Sequence, residues 1–447
     1  MKRLLSAVFL PALLVGISPA GAQIRPVPVY SAGGTLSSAQ QDAAVDAVIA
    51  VIERQYVFPD RVVAIVQAVR AARASGRYAI GDPAVFASRL TEDISRAGND
   101  QHLYLQYDPE RFAAASRQAG PSPETDLDSV LAARARRAHY GLVETRLLQG
   151  NIRYLRISAF DWVEGETAQA YDDAMRFLRD GDAAVIDIRG NGGGSHHAVR
   201  YALSHFMPAD RLLMTFLEAG KDPEQSYTLR DLPAGRMIGK PLYVLTDGGV
   251  GSAGEDFAYS VQQFRIGRLV GETTAGGANN NRFVPVPPGF MLSVSFGRPV
   301  HAVSGGNWEG TGVAPDLRVA SASALDAAES KALGDLLAGA GSDAARRAEY
   351  EWAWVGVEVR LHPVTLDAAA LRARAGTYGD ARIDYRDGSL WLRTRPSAPV
   401  RRMLPLTPDG QLFALEGHEM LRARFSGRDL ETLWRGEPAP RVYPRSR

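Results

Sequence analysis

The chain of 447 residues contains no cysteine. This absence excludes disulfide frameworks, thiolate metal sites and cysteine nucleophiles. An excess of charge is also missing, since 51 basic side chains are balanced by 50 acidic ones, and neither half of the chain carries a sustained basic run. A nucleic-acid partner is therefore not expected. With 45% hydrophobic residues, the chain is long enough for two or three domains with sizeable cores.

Long apolar runs are absent except at the start, where residues 1–22 are predicted to form a signal peptide. Lys2 and Arg3 make a basic head, 4–17 is apolar, and 20–22 (Ala-Gly-Ala) resembles a cleavage site. The apolar run is shorter than the roughly 20 residues that a membrane span needs. We therefore expect export to the periplasm or the extracellular space and no membrane partner after cleavage, with an uncleaved membrane anchor as the alternative.

Hydrophobic periodicity predicts an α/β fold with two further domains around it. The strand predicted at 183–188 is apolar apart from Asp187, as in a parallel strand that is buried on both faces. Short strands around Arg386-Asp387-Gly388, a hairpin pattern, indicate a β-rich end. The predicted parts are an N-terminal helical domain (23–108), a linker (109–139), an α/β core (140–340) and a small β-rich C-terminal domain (341–447).

The stretch 240–259 carries the strongest chemical prediction. It begins with a strand, Leu242–Leu245, passes through a glycine turn and continues as a helix after Ser252. A serine between a strand end and a helix start has an exposed hydroxyl. The free N–H groups of the first helical turn lie beside it and can hold a developing oxyanion. Ser252 is therefore predicted to be a nucleophile.

A serine nucleophile needs a base, and the chain offers eight histidines. His102 follows a loop of turn-forming residues and precedes an alternating strand, so it is our candidate, with His301 as the main competitor. His196 and His197 are adjacent on a predicted helix, so their side chains diverge and a metal site is not expected there. We expect them to have helix-surface or loop-packing roles.

Four local motifs follow one another between residues 140 and 319. They are 151–157 (NIRYLRI) with Phe160, 185–194 (VIDIRGNGGG), 252–258 (SAGEDFA) and 308–316 (WEGTGVAPD). In this order they resemble the tricorn-core and tail-specific serine peptidase family. The resemblance implies a crotonase-like or ClpP-like α/β core, a peptide or unfolded-protein substrate that lies extended beside the core sheet, and no metal or organic cofactor.

The resemblance also favours one branch of that family. The processing branch uses a lysine base about twenty-five residues after the serine, where this chain has Gly277. The branch similar to tricorn core and to interphotoreceptor retinoid-binding protein repeats uses a histidine from a DxH segment and a glutamate from an EGxGV segment. Asp100-Gln101-His102 and Glu309 match these two segments. The interval from 102 to 140 is also too short for the PDZ domain that the processing branch usually carries.

Residue by residue, the resemblance implies a Ser-His-Glu triad of Ser252, His102 and Glu309. The oxyanion would be held by the N–H of Ala253 together with one from Gly192 or Gly193. Two departures stand out. Gly254 replaces a small non-glycine residue, which we expect to loosen the helix start, and Gln101 stands where some relatives have an orienting serine.

Two alternatives to an exported serine endopeptidase stay open. The first is a non-catalytic binding protein for an apolar ligand or peptide on the same fold. The second is a nucleotide-dependent oxidoreductase, because 249–254 (GVGSAG) matches GxGxxG and Glu272 follows at the spacing of a ribose-binding acid. A lone fingerprint of this kind is weak, and this one follows an earlier strand–glycine–helix unit instead of coming first.

Overall fold

The computed structural model describes residues 34–117 and 124–446. The predicted signal peptide (1–22) lies outside these residues. Within them, no helix combines the length and the apolar character that crossing a bilayer would require.

The N-terminal part is helical, as predicted. Its elements are α1 (Ser38–Gln55), α2 (Pro59–Ala74), α3 (Pro83–Gly98) and β1 (Tyr104–Tyr107). Ser37 and Gln40 form a capping box at the start of α1, and the Asp82 carboxylate caps α3. Asn99 ends α3 in the left-handed conformation, with φ of 44°. This turn reverses the chain and delivers 100–102 to the start of β1.

The segment 109–139, for which the sequence predicts a linker, contains two helices. They are α4 (Pro109–Arg117) and α5 (Glu124–Arg137). Alanine and arginine are the commonest residues in both, and they have high intrinsic helix propensity. The polar composition that suggested a linker is thus also compatible with surface helices.

The α/β part has a six-stranded sheet at its centre. In chain order its region contains β2 (Leu142–Leu148), β3 (Ile152–Ile157), α6 (Thr167–Arg179), β4 (Ala183–Asp187), α7 (His196–Ser204), β5 (Leu212–Glu218), β6 (Glu224–Tyr227), β7 (Leu242–Thr246), α8 (Ala253–Gln263), β8 (Arg268–Gly271), β9 (Asn280–Val286), β10 (Phe290–His301), β11 (Leu317–Arg318), α9 (Ala324–Gly339) and α10 (Ala344–Leu361). The strand order in the sheet is β11-β8-β7-β4-β3-β2. All neighbours are parallel except β2, which is the antiparallel edge.

Helices cover both faces of this sheet. Along β4, Ala184 and Ile186 point to a core shared with α6, α7 and α8, while Ala183 and Val185 point to one shared with α9 and α10. A strand buried on both faces is apolar on both, which explains the run from Ala183 to Ile186. Asp187, at the end of β4, is buried with hydrogen bonds from Tyr154 and Arg189. Helix α10 lies where the sequence predicts the β-rich part to begin.

A second sheet joins the N-terminal helices to the α/β part. Strand β10 pairs with β1, β5 and β9, and β5 also pairs with β6. Side chains of the β9–β10 hairpin, including Phe290 and Leu292, pack in one core with α1, α2 and α3. The pairing of β1 with β10 fixes His102, just before β1, relative to the rest of the molecule.

The C-terminal part is an antiparallel sheet, as the short alternating strands predicted. Its elements are α11 (Ala368–Arg374), β12 (Gly376–Tyr378), β13 (Ala381–Arg386), β14 (Ser389–Arg393), β15 (Arg401–Pro405), β16 (Leu412–Leu415), β17 (His418–Ser426), β18 (Asp429–Trp434) and β19 (Arg441–Tyr443). Each strand pairs with the next, and a bridge from Tyr378 to Arg445 closes the sheet on itself. Its interior has its own apolar core.

Candidate active site

Ser252 lies between β7 and α8, as the sequence predicts. It is exposed, with φ of 50° and ψ of −121°. A serine rarely adopts such a backbone conformation, because positive φ costs free energy in residues with a Cβ. Surrounding hydrogen bonds hold the turn: the Gly251 N–H donates to the Asn191 carbonyl at 2.9 Å. This strained turn presents the hydroxyl to solvent at the N-terminus of a helix.

The Glu255 carboxylate, which sequence reasoning did not single out, holds the turn at Ser252 through hydrogen bonds. One carboxylate oxygen accepts from the Thr274 hydroxyl (2.5 Å) and the Gly276 N–H (2.6 Å), and the other from the Gly277 N–H (2.8 Å) and the Ser252 N–H (3.1 Å). Burial raises the pKa of Glu255, and these four donors oppose that shift. The Ser-x-x-Glu spacing of a capping box, present at 252–255, was the pattern that could have revealed this residue.

The glycine loop after β4 lies directly against Ser252. A Cβ on Gly193 would lie 2.7 Å from the Ser252 Cβ, and its φ of 117° also requires glycine. The Gly193 N–H already donates to the Asn191 side chain at 2.9 Å. Gly192 is exposed. Of the two glycine donors that the resemblance left open, Gly192 therefore fits an oxyanion hole with Ala253 better.

Gly254, for which the sequence predicts a looser helix start, packs closely against the glycine loop. A Cβ at this position would lie 2.9 Å from the Asn191 carbonyl oxygen and 3.1 Å from the Val250 side chain. Both distances are shorter than a normal contact. The absence of a side chain thus lets α8 approach the glycine loop closely.

His102 and Glu309 lie side by side. The Asp100 carboxylate accepts the His102 N–H (2.9 Å), and the Ser293 hydroxyl donates to the His102 carbonyl (2.5 Å), so the backbone is fixed on both sides. One oxygen of Glu309 accepts from the Ala278 and Asn279 N–H groups at 2.7 and 2.8 Å. Its other oxygen lies 3.4 Å from His102 Nδ1. This is the arrangement in which a carboxylate orients an imidazole.

The charges of this pair depend on each other. Burial lowers the pKa of His102, but the Glu309 carboxylate beside it, together with the charges of Asp100 and Glu255, outweighs burial, so that this pKa is raised above its ordinary value. For Glu309, burial raises the pKa, and His102 with the two backbone donors outweighs it, so that this pKa is lowered. Each group stabilises the charged form of the other.

Gly277 connects the His102 pair to the serine turn. A Cβ at this position would lie 3.2 Å from His102 Cε1 and 3.4 Å from Nε2, and Glu255 holds both Gly277 and Ser252 through their N–H groups. The imidazole therefore occupies the space that a side chain at 277, such as the lysine of the processing branch, would enter. Among the hydrogen bonds of these described residues, none joins the Ser252 hydroxyl to the His102 ring. Catalytic hydrogen bonds often tighten only when substrate binds.

The competing histidines have structural partners. His301 is fully buried between Tyr259 and Phe264, and burial lowers its pKa to about 4. His196 connects Asp256 of α8 (Nδ1 to Oδ2, 2.6 Å) to Ser226 of β6 (Nε2 to Oγ, 2.7 Å). These contacts hold His196 between a helix and a strand, where the sequence led us to expect a helix-surface or loop-packing role. Neither histidine replaces His102 as the candidate base.

Three features of the site are typical of the serine-type hydrolase class. They are an exposed serine on a strained strand–helix turn, N–H groups at the helix start beside it, and an imidazole–carboxylate pair at the same loop. The comparisons with known proteins agree with this class. Residues 151–319 match the sequence profile described as "Peptidase family S41". The segment includes Ser252, Glu309 and the glycine loop, and it supports a serine-type peptidase.

One curated relative is the carboxy-terminal processing protease CtpB of Bacillus subtilis (strain 168). It is 27% identical over 180 residues, which is 39% of this chain and 35% of the relative. The chain thus spans about a third of the length of that relative. Among solved structures, the photosystem II D1 C-terminal processing protease is similar over 64% of this chain and 94% of its own (16% identity, TM-score 0.42). Mature CPAF is similar over 68% and 99% (12% identity, TM-score 0.46).

Proposed function

We propose that this protein is an exported serine endopeptidase that hydrolyses peptide bonds through Ser252, His102 and Glu309. The observation that carries the proposal is the meeting of the three segments at the loop around Gly277. There Glu255 holds the Ser252 backbone, and the His102 ring lies against Gly277 with Glu309 behind it. The S41 match over 151–319 supports the same chemistry.

In the proposed reaction, Ser252 Oγ attacks the carbonyl carbon of the scissile bond while His102 Nε2 takes the hydroxyl proton. Glu309 accepts a hydrogen bond from Nδ1–H, which keeps the lone pair on Nε2 and offsets the charge of the imidazolium. The N–H groups of Ala253 and Gly192 would hold the oxyanion, each worth about 2.7–4 kcal/mol of barrier. His102 then gives its proton to the leaving amine, and water hydrolyses the acyl-enzyme.

The proposed substrate is a peptide or an unfolded protein. Such a chain can lie extended and add backbone hydrogen bonds along a sheet edge near the glycine loop. The name of the B. subtilis relative describes processing of a protein's carboxyl terminus, which belongs to the same substrate class. The proposal requires no metal or organic cofactor for the reaction.

The direct test is the Ser252→Ala variant on an unfolded protein substrate. We expect its turnover to fall by at least about 10³-fold, because removal of a triad nucleophile leaves only binding and oxyanion stabilisation. Ser304→Ala, which changes a serine in an exposed loop, is the matched control and should keep its rate. Equal hydrolysis by Ser252→Ala and the wild type would refute the nucleophile. An inert wild type that takes up an apolar ligand would instead favour a binding protein.

A further inference from the structure

Three side chains meet beside the His102 ring: Asp100, His102 and Glu309. Among the described residues, Asp100 Oδ2, His102 Nδ1 and Glu309 Oε1 have no hydrogen-bond partner. The Asp100 side chain is 0% exposed and that of Glu309 is 8% exposed. Burying polar atoms without partners is costly, so a ligand that contacts these side chains would be stabilised.

The spacing of these groups fits a metal ion. Nδ1 lies 3.4 Å from Glu309 Oε1 and 3.9 Å from Asp100 Oδ1, and one ligand atom from each residue can be chosen so that all lie within 4.8 Å. Zinc binds histidine nitrogen and carboxylate oxygen at about 2.0–2.2 Å with tetrahedral angles, which separates its ligands by roughly 3.3–3.6 Å. The 3.4 Å separation already lies within this range, and the 3.9 Å separation is a few tenths of an ångström longer.

The surroundings support a cation in the same place. One oxygen of Glu309 is held by the Ala278 and Asn279 N–H groups, and Asp100 Oδ1 is held by the His102 N–H, so both carboxylates are oriented by the backbone. Such outer contacts are typical of metal ligands. In the described part of the chain, neither carboxylate forms an ion pair with a lysine or arginine. No lysine or arginine of the described residues therefore competes with a divalent ion for these carboxylates.

We propose that Asp100, His102 and Glu309 form an inhibitory site for Zn²⁺ or a similar transition-metal ion. The metal takes the lone pair of Nδ1, and the proton that Nδ1 carried moves to Nε2. An imidazole protonated at Nε2 has no lone pair there, so it cannot accept the Ser252 proton. The metal-bound and the catalytically competent tautomers therefore exclude each other. The His102 side chain is 25% exposed, while its Nδ1 is buried.

Metal binding can be measured without activity, in the Ser252→Ala background. Co²⁺ titration followed by visible absorption should give ligand-field bands of a low-coordinate site, and Zn²⁺ should displace the Co²⁺. We expect Asp100→Asn, which keeps an acceptor for the His102 N–H, and Glu309→Gln each to weaken binding by about tenfold or more. His418→Gln, which removes a histidine of the C-terminal sheet, is the control and should bind normally. Folding of each variant is checked by its thermal unfolding.

Inhibition is the second readout, and it rests on the proposed peptidase function. Zn²⁺ should stop peptide hydrolysis by the wild type, a chelator should restore it, and His418→Gln should behave as the wild type does. If the protein binds Co²⁺ at this cluster yet cleaves no peptide, the metal site stands and the peptidase proposal fails. Absence of Co²⁺ bands, or binding unchanged in folded Asp100→Asn and Glu309→Gln, would overturn the metal site alone.

Discussion

Single residues decide whether the proposed base can accept a proton. Burial of the His102 ring lowers its pKa and the Glu309 carboxylate raises it, and the net pKa is raised. Its position next to a turn-rich loop made it the candidate in the sequence. The sequence could not show that Asp100 also faces Nδ1, or that Gly277 leaves the space for the ring. Both facts depend on the folded path of separate loops.

The pH dependence of hydrolysis should follow the His102–Glu309 pair. The base works when neutral, so kcat/KM should rise with pH through a pKa above the ordinary histidine value of about 6.5. In Glu309→Gln we expect this rise at lower pH, because the charge that raises the pKa is gone. We also expect a rate lower by on the order of 10³–10⁴-fold, because the imidazole loses its orientation. Glu272→Gln, an exposed change, is the control; an unshifted profile in Glu309→Gln would contradict the pairing.

The same pair relates stability to pH. Because the pKa of His102 is raised, this residue contributes to the free energy of unfolding. The contribution is fully present below about pH 6.5 and is lost as pH rises through the pKa of the folded state. The lowered pKa of Glu309 means that its contribution is present above about pH 4.3 and is lost as pH falls through the folded pKa. The pair therefore stabilises the fold most between these two limits.

At the level of secondary structure, the turn around Ser252 was the most predictable part. Strand β7, the glycines and the start of α8 are adjacent in sequence, so local pattern determined them. The two helices in 109–139 were missed because alanine-rich polar segments suit both a linker and a surface helix. The close packing of Gly193 against Ser252 and of Gly254 against Asn191 could not be predicted from the sequence, because it depends on how β4 and β7 pair.

Glu255 should set how firmly the turn is held. Glu255→Gln replaces two acceptor oxygens by one oxygen and an NH₂ group, which leaves buried N–H or O–H donors without an acceptor. Each such loss costs about 1–3 kcal/mol. We expect a lower free energy of unfolding, measured with urea, together with a lower kcat. Glu272→Gln, whose carboxylate is exposed, should stay within about 0.5 kcal/mol of the wild type. Unchanged stability and kcat in Glu255→Gln would refute this role.

For the whole molecule, contacts between distant parts of the chain position His102. The N-terminal helices look like a separate unit in the sequence, yet they share a core with the β9–β10 hairpin, which follows Ser252 in the chain. Sequence periodicity reports which face of an element is apolar but not which distant element covers it. The packing of α10 on the central sheet was missed for the same reason.

The C-terminal sheet is attached to α10 through Trp352. The Arg422 guanidinium lies 4.0 Å from the centre of the Trp352 ring and donates to the Trp352 carbonyl, while the indole N–H donates to the Glu419 carbonyl at 3.2 Å. Burial lowers the pKa of Arg422 to about 10. This one contact combines stacking with two hydrogen bonds, so it is a strong candidate for holding the two parts together.

Trp352→Ala should separate the C-terminal sheet from the core without unfolding either. We expect faster limited proteolysis in the connection 362–367 and retained cleavage of short peptides. Trp354→Ala is the matched control, since that side chain lies two residues away on the same helix and is exposed. Loss of peptide cleavage together with global unfolding would indicate that the sheet is part of the catalytic core.

The nucleophile can be identified by labelling with a serine-directed fluorophosphonate, followed by mass spectrometry of the modified peptide. We expect one adduct, on Ser252, formed at a rate that falls by several orders of magnitude in His102→Ala. An adduct on Ser226, which also bonds a histidine, or labelling of Ser252 that is as fast without the imidazole as with it, would contradict the proposed site.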